Sequence, residues 1–183
     1  MSREARPLPF DPIARAAELW SERVGNPDLM AAATNVMRVQ QILQHAVDDA
    51  LRPLGLTFAR YEALVLLHFS QQGRLPMSVM GERLQLHPTS VTNIVDRLEA
   101  DEFVRRTRHP TDRRTTLAEI TTAGEHARAD ATTAVLRAGF GLRGLSPHQV
   151  TMLTTLLTKI RKASGDFTGE AVRDPASAAR RWA

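Results

Sequence analysis

A chain of 183 residues, 43% of them apolar and 24% charged, is long enough to bury one compact core and too hydrophobic for wholesale disorder. It has no cysteine, which excludes disulfides and thiol chemistry, and no apolar run near the ~18 residues that span a bilayer. The net charge is +4, yet Phe103 to Arg114 alone holds five arginines and one acid, a patch that suits nucleic acid.

No hydrophobic signal region follows Arg3 and Arg6, so the expected location is cytoplasmic, with no membrane partner. Residues 11–25 read as a first helix, with Ile13, Ala17, Trp20 and Val24 at helical spacing. Gly25, Asn26 and Pro27 break it, and Asp28 is expected to cap a second helix reaching Leu51. Thr57 is the expected cap of a third helix. Apolar residues on several of its sides, with Tyr61, Leu64, Leu67 and His68 among them, predict burial. Leu75 to Met77 fits a short strand. Ser78 is then expected to cap a helix over Val79 to Gln85, where Gly81 costs roughly 1 kcal/mol relative to alanine unless a neighbour crosses closely.

After a turn at Leu86 and His87, Pro88 suits the first position of a helix running to Ala100, with Val91, Ile94, Val95 and Leu98 as its buried stripe. The opposite face carries Thr89, Ser90, Thr92, Asn93, Asp96 and Arg97. Ordinary solvated faces favour long charged residues, whereas these short groups allow close approach to a surface such as the major groove, about 12 Å wide. Phe103 to Arg108 and Arg114 to Ile120 read as paired strands, joined by the turn formers His109 to Arg113. A helix, a turn, a helix and a basic hairpin make a winged arrangement, in which hairpin arginines reach a neighbouring minor groove.

A helix from Gly124 to Phe140 follows, broken by Gly141 to Gly144. At Leu145-Ser146-Pro147-His148-Gln149, Ser146 is the expected cap and Gln149 the residue returning the capping-box bond. The stripe Val150, Leu153, Leu156, Leu157 and Ile160 needs a partner, as do the N-terminal stripes, and two copies of each close a helical dimer interface. The expected fold is therefore mainly α, an α+β winged helix-turn-helix core with N- and C-terminal helices forming a dimerisation lobe. Its divisions are residues 1–56, 57–122 and 123–164, then a flexible tail over 165–183 that ends in Arg180, Arg181 and Trp182 and can still dock.

The run HPTSVTNIVDRLEADEFVRRTRHPTDRRTTLAEITTAG resembles the MarR family of bacterial regulators, over about Met30 to Lys162. The landmarks are Asp96-Arg97-Leu98-Glu99, Val104-Arg105-Arg106, Asp112-Arg113-Arg114 and Ile120 to Gly124. Glu102 departs from a common glycine and Gly81 from a usual alanine. The resemblance implies a homodimer on a pseudo-palindromic duplex-DNA operator. The DNA-binding residues it implies are Ser78, Pro88, Thr89, Ser90, Thr92, Asn93, Arg97, Arg106, Arg108, Thr111, Asp112, Arg113 and Arg114. Arg114 matches the wing arginine and Asp112 the acid that steadies the wing. Arg97 either binds phosphate or pairs with Asp112, and only one of Arg105 and Arg106 can face DNA because they alternate along a strand.

A ligand-responsive repressor is the expected function, with a small-molecule effector, an aromatic or acyl acid, that changes the spacing of the two recognition helices. Its candidate residues are Trp20, Arg60, Tyr61, Glu62 and His68. Trp20 on an extra first helix is similar to the urate-responsive branch, with Glu62 in place for its acid, but Phe69 offers no arginine. No catalytic residue, metal ligand or cofactor is expected: the six histidines lack metal-ligand spacing, and no glycine-rich phosphate loop is present. The competing reading is a winged-helix protein–protein adaptor without DNA binding, for which the hairpin arginines have little use.

Overall fold

The computed structural model describes residues 8–112 and 114–169, which divide into two compact units between His45 and Ala46. In the first unit, α1 (Pro12–Arg23) starts where Asp11 accepts hydrogen bonds from the N–H groups of Ile13 and Ala14, at 2.8 and 3.3 Å. Gly25 (φ +137°) turns the chain into α2 (Asp28–Leu51). Asp28 is the first helical residue rather than the expected cap, and Asn26 Oδ1 accepts from its N–H at 2.8 Å. No residue of α1 is buried, and Leu29, Val36, Met37, Val39 and Ile42 of α2 are exposed.

The second unit begins with the last turns of α2, where Val47 and Leu51 enter a core. Thr57 caps α3 (Phe58–Phe69) as expected, and Tyr61, Ala63, Leu64, Leu66 and Leu67 are buried. His68, expected inside, stands half-exposed because it reaches Glu125 at 2.9 Å. The strand β1 (Arg74–Pro76) leads straight into α4 (Met77–Leu84). Ser78 does not cap it: Pro76 holds the cap position with no side-chain bond, and Ser78 lies in the first turn.

A connection of three residues leads to α5 (Pro88–Ala100), then β2 (Val104–Arg108) and β3 (Thr116–Ile120). The sheet is antiparallel in the order β1-β3-β2, with Arg74 opposite Glu119 and Arg106 opposite Ala118. Thr121 caps α6 (Thr122–Arg137), which ends three residues before the expected Phe140 because Gly139 and Phe140 take left-handed backbones, φ +60° and +50°. The last helix, α7 (Pro147–Ala163), opens with the expected capping box, Ser146 and Gln149 bonding reciprocally.

Leu64, Leu67, Met80, Val91, Val95, Leu98, Val104 and Val135 are fully buried, so α3, α4, α5, the sheet and α6 share one core. The fold is a winged helix-turn-helix, mainly helical, with a small antiparallel sheet. No residue of α7 is buried, and Met152, Leu156, Leu157 and Ile160 are exposed. Among the described residues no helix is long and apolar enough to cross a membrane.

Candidate nucleic-acid interface

One close approach and one bend set the angle between α4 and α5. Gly81 permits the approach, since a Cβ there would lie 3.2 Å from the Leu86 carbonyl oxygen and 3.5 Å from a Val91 methyl. The bend itself needs Gln85 in the left-handed region, φ +55°. His87 then caps α5, its Nδ1 accepting the Thr89 N–H at 3.3 Å, and Pro88 takes the first helical position. Free N–H groups at this end give a positive pole that favours phosphate.

The α5 stripe Val91, Val95 and Leu98 is buried, with Ile94 half-buried, which turns the polar face outward. Pro88, Thr89, Thr92, Asn93 and Arg97 are exposed and Ser90 is half-buried. Thr92 donates its hydroxyl back to the Pro88 carbonyl at 3.0 Å, leaving its lone pairs free, and Ser78 is exposed at the start of α4.

The hairpin is fastened to α5 by Arg106. Its guanidinium bonds Asp96 Oδ1 at 2.5 Å and Glu99 Oε2, and its backbone N–H donates to Glu99 Oε1 at 3.0 Å. Arg106, expected on DNA, is thus occupied by two carboxylates and braces the wing instead. Arg105 points to the other face of the strand, where Glu119 receives it at 2.6 Å and has its carboxyl held below the ordinary range by that bond. Arg108 lies two residues beyond Arg106, so it shares the strand face that meets α5. It is exposed, and among the described residues Arg97, Arg108 and Arg114 make no ion pair. The fifth hairpin arginine, Arg113, lies outside the described residues.

The loop between the strands is built on two side chains. Asp112 accepts the Thr115 hydroxyl at 2.7 Å and the Arg114 N–H at 3.0 Å, and these bonds, in that order, hold its carboxyl below the ordinary aspartate range. The acid expected to steady the wing does so within its own loop, and Arg97 is not its partner. His109 Nδ1 accepts the N–H groups of Thr111 and Asp112 at 3.4 and 3.2 Å. Thr111 is exposed at this tip. From the sequence, His109 has only a turn role and Glu99 only a place among the landmarks, without its partner Arg106. An acid three residues after Asp96 on one helix face was the available signal for Glu99.

The effector candidates separate. Arg60, mostly buried, bonds Asp101 at 2.8 Å and the Gly55 carbonyl. Tyr61 is buried with its hydroxyl 3.2 Å from Thr132, and His68 meets Glu125, so both face α6. Burial raises the Glu125 carboxyl, but His68 and then Arg128 outweigh it and hold it below the ordinary range. Desolvation raises Glu62 at the surface of α3, and Trp20 is partly exposed on α1 in the first unit. Among the described residues no group of three or more His, Cys, Asp or Glu could hold a metal ion.

Known proteins resemble this chain in sequence and fold. The MarR family model matches residues 56–116. The chain is 47% identical to a MarR family transcriptional regulator from Streptomyces coelicolor, with a TM-score of 0.71 over 78% of this chain and 99% of that one. It is 28% identical to CouR from Rhodococcus jostii, solved with p-coumaroyl-CoA, with a TM-score of 0.64 over 76% of this chain and 95% of CouR. It is also 30% identical, over 127 residues, to the HTH-type transcriptional regulator YhbI of Bacillus subtilis, covering 67% of this chain and 81% of that protein.

Proposed function

The chain belongs to the MarR family of transcriptional regulators, and from that premise we propose that it is a homodimeric repressor gripping a pseudo-palindromic duplex operator through α5 and the wing. One observation carries this reading. Arg106 anchors the wing to the outward face of α5, and strand alternation sets Arg108, which makes no ion pair among the described residues, on the side of Thr89, Thr92 and Asn93. Helix and wing therefore address one surface.

In this reading Thr89, Ser90, Thr92 and Asn93 meet base edges and phosphates in the major groove, with Ser78 and Arg97 on the backbone. Arg108 and Arg114, with Arg113 beside them, enter or flank the minor groove, whose negative potential favours guanidinium. Two recognition helices about 34 Å apart fit successive major grooves, and this requires a dimer. The exposed apolar faces of α2 and α7 support one, since monomers rarely leave such surfaces open.

The effector is an aromatic or acyl acid, as the p-coumaroyl thioester of CouR suggests, with Tyr61 and His68, which face α6, and Arg60 and Glu62 of the same helix as its proposed residues. It relieves repression by binding the DNA-incompatible state more tightly, with a coupling of about 1–3 kcal/mol. A mobility shift on the intergenic DNA beside its own gene tests the reading. An inverted repeat in that DNA shifts at nanomolar protein, and deleting the repeat raises reporter transcription. A protein that shifts no such duplex at low salt contradicts it.

A further inference from the structure

Where α7 ends, the chain turns back on itself. Gly165 takes φ +74°, and the N–H groups of Gly165 and Asp166 donate to the carbonyls of Lys162 and Arg161, both at 3.1 Å. That turn presents the Asp166 carboxylate, 23% exposed, to two partners. Gln85 donates its amide N–H to Oδ1 at 2.8 Å, and Arg161 Nε donates to Oδ2 at 2.6 Å. The Arg161 guanidinium also lies 5.4 Å from the centre of the Phe167 ring, within cation–π range. These contacts pin the start of the expected flexible tail at the bend between α4 and α5.

Gln85 is the residue on which that bend depends. Its φ of +55° lies in the left-handed region, where glycine sits without steric cost and a glutamine stays only if its surroundings hold it. Its backbone closes the end of α4, where the N–H groups of Gln85 and Leu86 reach the Glu82 and Gly81 carbonyls at 3.4 and 2.9 Å. What glutamine adds over glycine is a side chain long enough to meet Asp166. That bond, ahead of the one from Arg161, holds the Asp166 carboxyl below the ordinary aspartate range.

We infer that Asp166 is a positioning residue for DNA binding, which braces the bend between α4 and α5 from the end of α7 by holding the Gln85 side chain. Its negative charge is the wrong sign to meet phosphate, so it acts through Gln85 and not on the duplex. Arg161 keeps the carboxylate aimed by taking the oxygen that Gln85 leaves free. The exposed apolar residues Met152, Leu156 and Ile160 lie on the helix that carries this brace. The helix proposed to meet a second copy therefore also steadies the presentation of α5. The effect on DNA rests on the reading above; the brace does not.

A double-mutant cycle in the full chain, read as affinity for the inverted-repeat duplex, tests the brace. Asp166→Ala weakens binding about tenfold, and the slope against salt stays that of the unaltered chain because no phosphate contact is lost. Asp166→Asn, which keeps an oxygen for the Gln85 amide, recovers most of that loss. In Gln85→Gly, glycine holds the left-handed bend unaided and no side chain reaches Asp166, so Asp166→Ala has no further effect. An unchanged affinity in Asp166→Ala overturns the proposal. So does a full loss in the Gln85→Gly background, or a loss that tracks dissociation of the dimer in sedimentation. Hydrogen exchange at the Leu86 amide, which bonds across the bend, separates the brace from the regulator reading. Exchange about tenfold faster in Asp166→Ala, in a protein that binds no duplex at any salt, upholds the brace and overturns the regulator reading instead. Exchange unchanged by Asp166→Ala overturns the brace.

Discussion

Between Ala46 and Val135 most large apolar side chains end inside the molecule, Leu51, Leu64, Met80, Val95, Leu98 and Val135 among them, while Phe69 stays exposed. In α7 the apolar side chains Met152, Leu156, Leu157 and Ile160 end at the surface, as do those of α2 before His45. The winged lobe completes its burial within one chain, and the flanking helices do not. In the proposed reading one region holds a fixed face toward DNA, and the other presents its apolar residues to a second copy. Substitutions in the two should therefore fail in different ways.

The largest effect is expected inside the lobe. A Cβ at Gly124 would lie 2.0 Å from the Phe103 carbonyl oxygen, so the start of α6 or the link into β2 must move. Gly124→Ala should cost about 3 kcal/mol and lower the melting temperature by roughly 10 °C, read by calorimetry. An unchanged melt would break the idea that this contact locks the wing to α6. In α7 the outcome inverts. Ile160→Glu should weaken dimerisation by about 100-fold or more in sedimentation, with little change in the near-UV signature of the lobe. A variant that stays a dimer would show that α7 faces something else.

Smaller effects sharpen the comparison within the lobe. Arg108→Ala and Arg114→Ala should each weaken operator binding about tenfold, near 1.4 kcal/mol, without lowering stability. Glu102 adopts φ +61°, where glycine is favoured, so Glu102→Gly should stabilise by about 1 kcal/mol, visible as a shifted denaturation midpoint. Last, the folded-state pKa of Asp112 is depressed, so loop order is present above the unfolded aspartate value and lost as pH falls through the lowered one. The Arg114 and Thr115 amide resonances should report that loss, and Asp112→Asn should abolish the titration.

Local chemistry made much of the lobe readable in advance. Pro88 and the capping box of Ser146 and Gln149 are statements about a few adjacent residues, and the structure bears them out. The period of Val91, Val95 and Leu98 exposed the face of α5 by the same reasoning. Strand alternation correctly separated Arg105 from Arg106, but it could not say what each would meet. Asp96 and Glu99 reach Arg106 only after β2 folds back on α5, and Glu119 meets Arg105 only through strand register. Ser78 misled because Pro76 closes the strand and lets the helix start two residues early, at Met77. His68 misled because a surface carboxylate, Glu125, draws it out of the core it was expected to join.

In the proposed reading DNA is gripped by the arginines that make no ion pair among the described residues, and not by those tied to carboxylates. The direct measurement is the slope of log operator affinity against log salt for the unaltered chain, Arg108→Ala, Arg114→Ala and Arg105→Ala. Each of the first two substitutions should flatten the slope by about 0.9, the share of one phosphate, while Arg105→Ala leaves it unchanged. Equal slopes in all four proteins, or a flattening confined to Arg105→Ala, would contradict the account.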